Sequence, residues 1–359
     1  MDTTTQLTPV FIIYLNDKRF SIDMESDVKE IKVERRIDRS STFAITMADM
    51  GRKWTDHPEF TEGSKIKIML GYKDAVEEVM HGEVTGTNPI FRKNSDERVI
   101  IRGQDVMHRL HRGKKTITFS NMTDKEIAEK IAADAGMGIE CEEMGTVREL
   151  AVQSDQTDYE YLTEIGSRYN CRLITKDDKL LFKPIDDSSG EEIIMEWGKT
   201  LIEFHPELDS TRLVTETEVI GWDTVKGDGI EGTAGYEDIS RTIGEGSVGG
   251  ATVFDNYGDV KSVIVNREIN DKNNAEKRAI ESMTRNSMKY ITGWGIVQGN
   301  NKIDAGMIVH VKEVGIIFSG EYFVTEVKHV FIAEQGYTTR FECERNITGK
   351  DSFSGRALH

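Results

Sequence analysis

AGMIVHVKEVGIIFSGEYFVTEVKHVF, Ala305 to Phe331, reads as a strand, a tight reversal and a second strand. A similar stretch lies near the start of the chain: EGSKIKIMLGYKDAVEEVMHGEVTG, Glu62 to Gly86. Gly63 is followed at the third and fifth places by Ile66 and Ile68, and Gly306 at the same places by Val309 and Val311. This alternation is that of a strand burying one face. Each copy ends on Gly-Glu and an apolar residue, Gly82-Glu83-Val84 and Gly320-Glu321-Tyr322. Antiparallel hairpins in general share such features, so the pattern by itself leaves two readings: a common motif met twice, or a duplicated β unit with other material between its copies.

Working outward, residues 1–115 are mostly β. VFIIYLN (Val10–Asn16) is a buried-strand run, STFAITMA alternates through Phe43, Ile45 and Met47, and ERVIIRG through Val99 and Ile101. Short strands between turn residues predict a small antiparallel barrel or sandwich. Residues 116–185 change character. Thr123 with Glu126, and Thr157 with Glu160, each form a capping-box pattern ahead of an apolar stripe, which predicts two helices. A hairpin turning at Asp177-Asp178 follows, so this segment reads as a small α/β domain. The β pattern returns over residues 186–222 and 260–346, with Leu213, Thr215, Thr217 and Val219 on one face and a helix at Asn273–Tyr290 carrying Ala275, Ala279 and Met283. Residues 223–259 are rich in glycine and acid and read as a loop or insertion, and residues 347–359 as a disordered tail.

The 359 residues are 30% charged and 37% hydrophobic with a net charge of −17. A chain this acidic has no general attraction for nucleic acid, with the local basic run HRLHRGKK as an exception in sign. No apolar run approaches the length of a membrane-crossing helix, and the N-terminus, with no basic segment and a short apolar run, does not read as a signal peptide. Three cysteines, Cys141, Cys171 and Cys343, without Cys-x-x-Cys spacing, fit a reducing compartment.

Four segments, in order, carry a resemblance that decides between the two readings. They are Gly103–Gly136 (GQDVMHRLHRGKKTITFSNMTDKEIAEKIAADAG), Val152–Pro184 (VQSDQTDYEYLTEIGSRYNCRLITKDDKLLFKP), Val219–Gly232 (VIGWDTVKGDGIEG), and Ala305–Phe331 followed by GYTTRFECERN, Gly336–Asn346. The chain resembles the phage late control protein D family of tail baseplate hub proteins and is similar to the hub portion of VgrG of type VI secretion. The resemblance implies a β-rich α+β fold: two tail-tube-like antiparallel β-barrels with an inserted small α/β domain. It implies a homotrimer whose six like barrels adapt a sixfold tail tube to a threefold central spike, the duplication supplying six surfaces from three chains. The implied partners are the tail tube protein hexamer and the central spike protein, with baseplate wedge and tape-measure proteins as further contacts. The implied location is the virion tail baseplate, or the equivalent injection particle, assembled in the host cytoplasm. Gly306, Gly320, Tyr322, Gly336 and Tyr337 are expected to define the fold, and acidic charge to line the channel. VgrG proteins continue into an oligonucleotide/oligosaccharide-binding-fold domain and a β-helical needle, which these residues lack, so the stand-alone phage type is expected.

No enzyme, cofactor, metal or catalytic residue is expected. Gly244–Gly250, GEGSVGG, fits Gly-x-Gly-x-x-Gly, but ATVFDNYG after it does not read as a helix start and the run lies in the Gly-rich insertion, so a flexible loop outweighs the nucleotide reading. Asp105, His108 and His111 share a helical face as a metal-site pattern, and the solvated end of a helix beside Arg112, Lys114 and Lys115 outweighs it. His329 in its strand reads as a hydrogen-bonded structural histidine. The alternative function is a peptidoglycan-binding or cell-wall-hydrolysing tail-tip protein, with residues 116–185 as a binding module of LysM type. No carboxylate pair is singled out for hydrolysis.

Overall fold

The computed structural model describes residues 8–73, 75–93, 97–184, 192–223, 227–266, 269 and 271–348. The first part holds β1 (Pro9–Leu15), the short β2 (Lys18–Arg19), α1 (Ile22–Asp27), β3 (Val28–Arg36), β4 (Thr42–Ala48), β5 (Lys65–Tyr72), β6 (Ala75–Ile90) and β7 (Arg98–Gln104). The insert follows as β8 (Lys115–Met122), α2 (Asp124–Asp134), β9 (Gly138–Cys141), β10 (Arg148–Gln156), α3 (Asp158–Arg168), β11 (Cys171–Lys176) and β12 (Lys179–Pro184). The last part holds β13 (Ile193–Glu196), β14 (Leu201–Leu208), β15 (Glu216–Asp223), β16 (Asp228–Gly235), α4 (Gly249–Tyr257), β17 (Lys261–Val265), α5 (Lys272–Ser287), β18 (Ile291–Gln298), β19 (Ile308–Lys312), β20 (Gly320–Ile332) and β21 (Gly336–Arg345).

Thirteen strands form one sheet along the path β14-β18-β21-β20-β3-β4-β7-β6-β5-β1-β2, with β19 against β20 and β13 against β19. Two six-stranded units lie within it. Counted in chain order, β1 and β3 to β7 run second-third-sixth-fifth-fourth-first across the sheet, and β13, β14 and β18 to β21 run in the same order. Two of the irregularities repeat as well, although the bulge at Ile68/Met69 where β5 meets β6 has no counterpart where β19 meets β20. A bulge falls at Val84/Gly86 where β6 meets β7 and at Val324/Glu326 where β20 meets β21. Another falls at Val28/Glu30 where β3 meets β4 and at Leu201/Glu203 where β14 meets β18. Bulges are specific features of a strand pair, so their coincidence marks a duplicated unit.

The two hairpins of the repeat occupy equivalent places. Gly63 N–H donates to Val84 O and Val84 N–H to Ser64 O; Gly306 N–H donates to Val324 O and Val324 N–H to Met307 O. Both glycines have positive φ, 85° and 90°, a backbone that glycine adopts at least cost. The Gly63/Gly306 half of the sequence match is therefore the structural one. The Gly-Glu half is not: Val84 corresponds to Val324, so Gly82 corresponds to Tyr322 and not to Gly320. Register is set by the ladder at the glycine turn, and the unequal hairpin tips displace the second motif by two residues. The units also differ at their first strand, antiparallel for β1 on β5 and parallel for β13 on β19.

The insert follows its sequence closely. Both capping boxes form, at Thr123 and Thr157, and β11 turns into β12 through Asp177 at φ 54°. Its core joins Ile127, Ile131, Leu162 and Ile165 to Leu173 and Phe182. Two expectations change in the last part. Strand β15, whose residues 216–222 are read with the second barrel, pairs instead with β16 and β17 in a separate sheet that packs with α5 around Val219, Ala275, Ala279 and Met283. The region 223–259, read as a loop, holds β16 and α4. Helix α4 begins at Gly249 and Gly250, which propensity argues against. Close packing is the reason: a Cβ on Gly249 would lie 2.4 Å from the Tyr290 ring and one on Gly250 2.3 Å from Tyr236 Cβ. Of the tail, Ile347 is buried and bridges Val248; residues 349–359 lie outside the described residues.

The two turn glycines give a first test. A Cβ on Gly63 meets nothing within 4 Å, whereas one on Gly306 would lie 2.3 Å from Ile174 Cδ1. Gly63→Ala is expected to cost about 1–2 kcal/mol from backbone strain alone, and Gly306→Ala about 1–3 kcal/mol more from overpacking. Urea unfolding of the two variants measures the difference; equal losses would contradict the equivalence of backbone and inequivalence of packing described here.

Candidate functional site: the joint between the repeated units

The two units meet where β20 pairs antiparallel with β3, from Glu326 opposite Arg36 to Ile332 opposite Glu30. Strand β20 is long enough to serve both units: its start pairs with β19 and its remainder with β3, while β21 runs along the other edge. The bonds Ile37 N–H to Thr325 O and Ala333 N–H to Lys29 O bracket the joint. They place the backbone groups of odd-numbered β3 residues, Val33 among them, toward β20.

Side chains alternate across the joint. On the outer face Lys328 Nζ lies 2.6 Å from Glu34 Oε1, and Arg36 bridges Glu34 and Glu326, each at 2.9 Å. On the inner face Val327, His329 and Phe331 turn into the core, and Phe331 and Tyr337 of the second unit belong to the core of the first. Phe331 packs edge-on against Phe11, with ring centroids 5.1 Å apart. His329 is 1% exposed; its Nδ1 lies 2.7 Å from Tyr337 Oη and 3.1 Å from Thr339 Oγ1. Burial pushes its pKa down to about 4, against the opposing pull of Asp304 and with the help of Arg35. It is a structural histidine sealed from any substrate.

Buried polar contacts tie the insert to this joint. Arg35 forks onto both carboxylate oxygens of Asp304, at 3.0 and 2.9 Å, and donates to Thr175 O at 2.8 Å. Burial opposes the Arg35 charge, but Asp304 and Asp105 keep it protonated. Asp105, 0% exposed, accepts from Ser41 N–H at 2.8 Å, Met107 N–H at 3.1 Å and the Thr175 hydroxyl. Burial pushes its carboxyl up, countered by Thr175, Ser41 and Arg35. Arg172 reaches from β11 to Asp38 at 2.6 Å and Glu344 at 3.2 Å, so one guanidinium links insert, first unit and second unit.

The other residues singled out from the sequence are not brought together as a site. Asp105 and His108 lie on the short 3₁₀ helix and its cap, but His108 Nε2 meets Glu83 at 3.0 Å and the exposed His111 lies over the Tyr159 ring. Burial would raise the Glu83 carboxyl; hydrogen bonds from Arg109 and His108 outweigh it and hold it below the ordinary range. Among the described residues no three His, Cys, Asp or Glu side chains are grouped as metal ligands would be, and no helix is long and apolar enough to cross a membrane. Gly320 (φ 136°) passes under Arg345, whose guanidinium caps the Tyr322 ring at 4.7 Å. The sequence reading missed a cleft of about 830 Å³ between the insert and α5, lined by both signs of charge, including Arg148, Lys277, Glu149 and Glu281. Its walls come from segments distant in the chain, which no spacing could reveal.

His329 sets a pH test. The unfolded chain protonates this ring near pH 6.5, the folded chain near 4. Its contribution is full above pH 6.5 and is lost as pH falls toward 4, by about 2–3 kcal/mol at pH 4.5. His329→Gln is expected to lack that component, so between pH 7 and 4.5 the wild type should lose about 2–3 kcal/mol more than the variant in urea unfolding. Parallel losses would show that the ring does not stay neutral in the fold.

The fold is similar to that of the 43 kDa tail protein of prophage MuSo2 from Shewanella oneidensis, at 16% identity and TM-score 0.71, over 94% of this chain and 98% of that one. It is similar to the tail protein from Neisseria meningitidis MC58, at 13% identity and TM-score 0.69, over 94% and 96%. A third similar structure is the E. coli c3393 protein, a type VI secretion component described as similar to the T4 tail proteins gp27 and gp5, at 14% identity and TM-score 0.55, over 96% and 79%. At these identities the likeness concerns the fold, and it bears out the β-rich α+β architecture with large antiparallel sheets. No curated protein matches the sequence. The family model described as the Alg8 N-terminal domain matches residues 9–334, from β1 of the first unit to the end of β20 in the second, and the chain therefore belongs to the Alg8 N-terminal domain family.

Proposed function

We propose that this protein is a structural baseplate hub: a homotrimeric ring adapting a sixfold tail tube to a threefold central spike in a phage tail or related contractile injection system. The observation that carries the reading is the repeat of the six-stranded order, with two of its bulges at matching places. A chain with two like units offers six like surfaces from three copies, and a closed ring of head-to-tail contacts is the ordinary way to use them. The tail and secretion proteins of like fold support it. In this reading residues 8–104 and the strands β13, β14 and β18 to β21 are the tube-like parts, the insert braces their joint, and no step is catalytic. The tube hexamer sits on one face and the spike on the other, with wedge and tape-measure proteins nearby. The particle assembles in the host cytoplasm, and the net charge of −17 keeps a polyanionic cargo from adhering to the channel.

Solution mass, measured with and without the tube and spike proteins from the same locus, tests the ring. A particle three times the 40.6 kDa chain, alone or with the spike, is expected. A chain that stays monomeric in both settings contradicts the hub, and peptidoglycan binding by the whole chain becomes the measurement that matters.

A further inference from the structure

The joint inside the chain has an unfilled counterpart. In the first joint the edge of β3, second strand of the first unit, pairs with the later half of β20, fifth strand of the second. The corresponding elements left over are the edge of β14, second strand of the second unit, and the later half of β6, fifth strand of the first. Strand β14 ends the sheet path, and among the described residues the later half of β6 pairs only with β7.

The bulge positions fix the correspondence residue by residue. Glu326, Val327, Lys328, His329 and Phe331 of β20 correspond to Gly86, Thr87, Asn88, Pro89 and Phe91. Arg35, Glu34, Val33 and Ile31 of β3 correspond to Leu208, Glu207, Pro206 and Phe204. The exposures differ as an unfilled joint requires. Val327, His329 and Phe331 are 0%, 1% and 8% exposed, whereas Phe91 is 61% exposed; Arg35 is 8% exposed and Leu208 40%. Backbone direction agrees. Asp105 N–H donates to Ser41 O and Asp209 N–H to Tyr290 O; alternation along each strand then turns the backbone groups of Thr87 and Pro89, and of Phe204, Pro206 and Leu208, away from their own sheet.

We propose that the edge of β14 pairs antiparallel with Gly86–Phe91 of a second copy of this chain, in the register of the β3–β20 joint. Resting on the ring reading above, this names its contact: Asn88 faces Glu207, Thr87 faces Leu208, and Phe91 enters the open side of the second unit as Phe331 enters the first. Pro89 then faces Pro206, where His329 faces Val33 within the chain. Neither proline has a donor, so the central pair of hydrogen bonds is missing and only the flanking ones form. The contact between chains is thereby weaker than the one within the chain. A proline on each edge also keeps either strand from recruiting unrelated edges.

Asn88 and Glu207 occupy a non-hydrogen-bonded pair, where opposite Cβ atoms come close enough for a disulfide. The test is the full chain carrying Asn88→Cys with Glu207→Cys, assembled with the spike protein where needed, oxidised and run on a non-reducing gel. Covalent dimers and trimers are expected, absent from wild type with its three cysteines and weak in the slipped pair Ile90→Cys with Glu207→Cys. Glu34→Cys with Lys328→Cys, the same pair within the chain, is expected to close without a mass change. A solution trimer that does not cross-link at 88 and 207 overturns this interface and leaves the hub reading standing. A monomer under every condition overturns both.

Discussion

The antiparallel ladder between β3 and β20 is the constraint on which the rest of the molecule depends. Strand β20 must stay in register with β19 and β3 on one side and with β21 on the other. A slip of one residue would turn His329 and Phe331 outward and bring Lys328 and Glu326 into the core. The bulge at Val324/Glu326 separates the part of the strand that belongs to its own unit from the part that completes the neighbouring one. Since both units are on one chain, this contact forms at a high effective concentration.

The polar groups beneath the ladder hold position more than they add stability. Arg35 is buried, but Asp304 is nearly half exposed, so part of the Coulomb gain goes to offset desolvation. What the fork supplies is direction. Arg35 reaches Thr175 in the insert, Asp105 gathers Ser41 and Thr175, and Arg172 meets Asp38 and Glu344. The insert is thus placed by fixed hydrogen-bond geometry at the seam of the two units, where a movement of either unit would break charged contacts.

Duplication preserved the path of the backbone and released the side chains. Strand order, two of the bulges and the Gly63 and Gly306 turns repeat, while Lys328 and Glu34 give way to Asn88 and Glu207, and His329 and Val33 to Pro89 and Pro206. Such divergence suits the proposed ring, in which one joint lies within the chain and the other between chains. The contact within the chain can be strong without penalty, but a contact between chains must not form with every strand edge it meets.

The sequence by itself determined the local elements. Thr123 and Thr157 cap their helices, Asp177 turns its hairpin, and Gly63 and Gly306 open theirs, because each signal acts within a few residues of its own backbone. The apolar alternation placed Ile66, Ile68, Val309 and Val311 in cores for the same reason. Tertiary structure alone decided the rest: the two-residue offset of Gly82 and Gly320, the departure of Glu216–Asp223 to its own sheet, helix α4 on two glycines, and the union of the units through β3 and β20. Those outcomes depend on which distant edge or ring a segment meets. The hydrogen-bonding groups of a strand are the same whatever its neighbour, so only the packed fold can choose the partner.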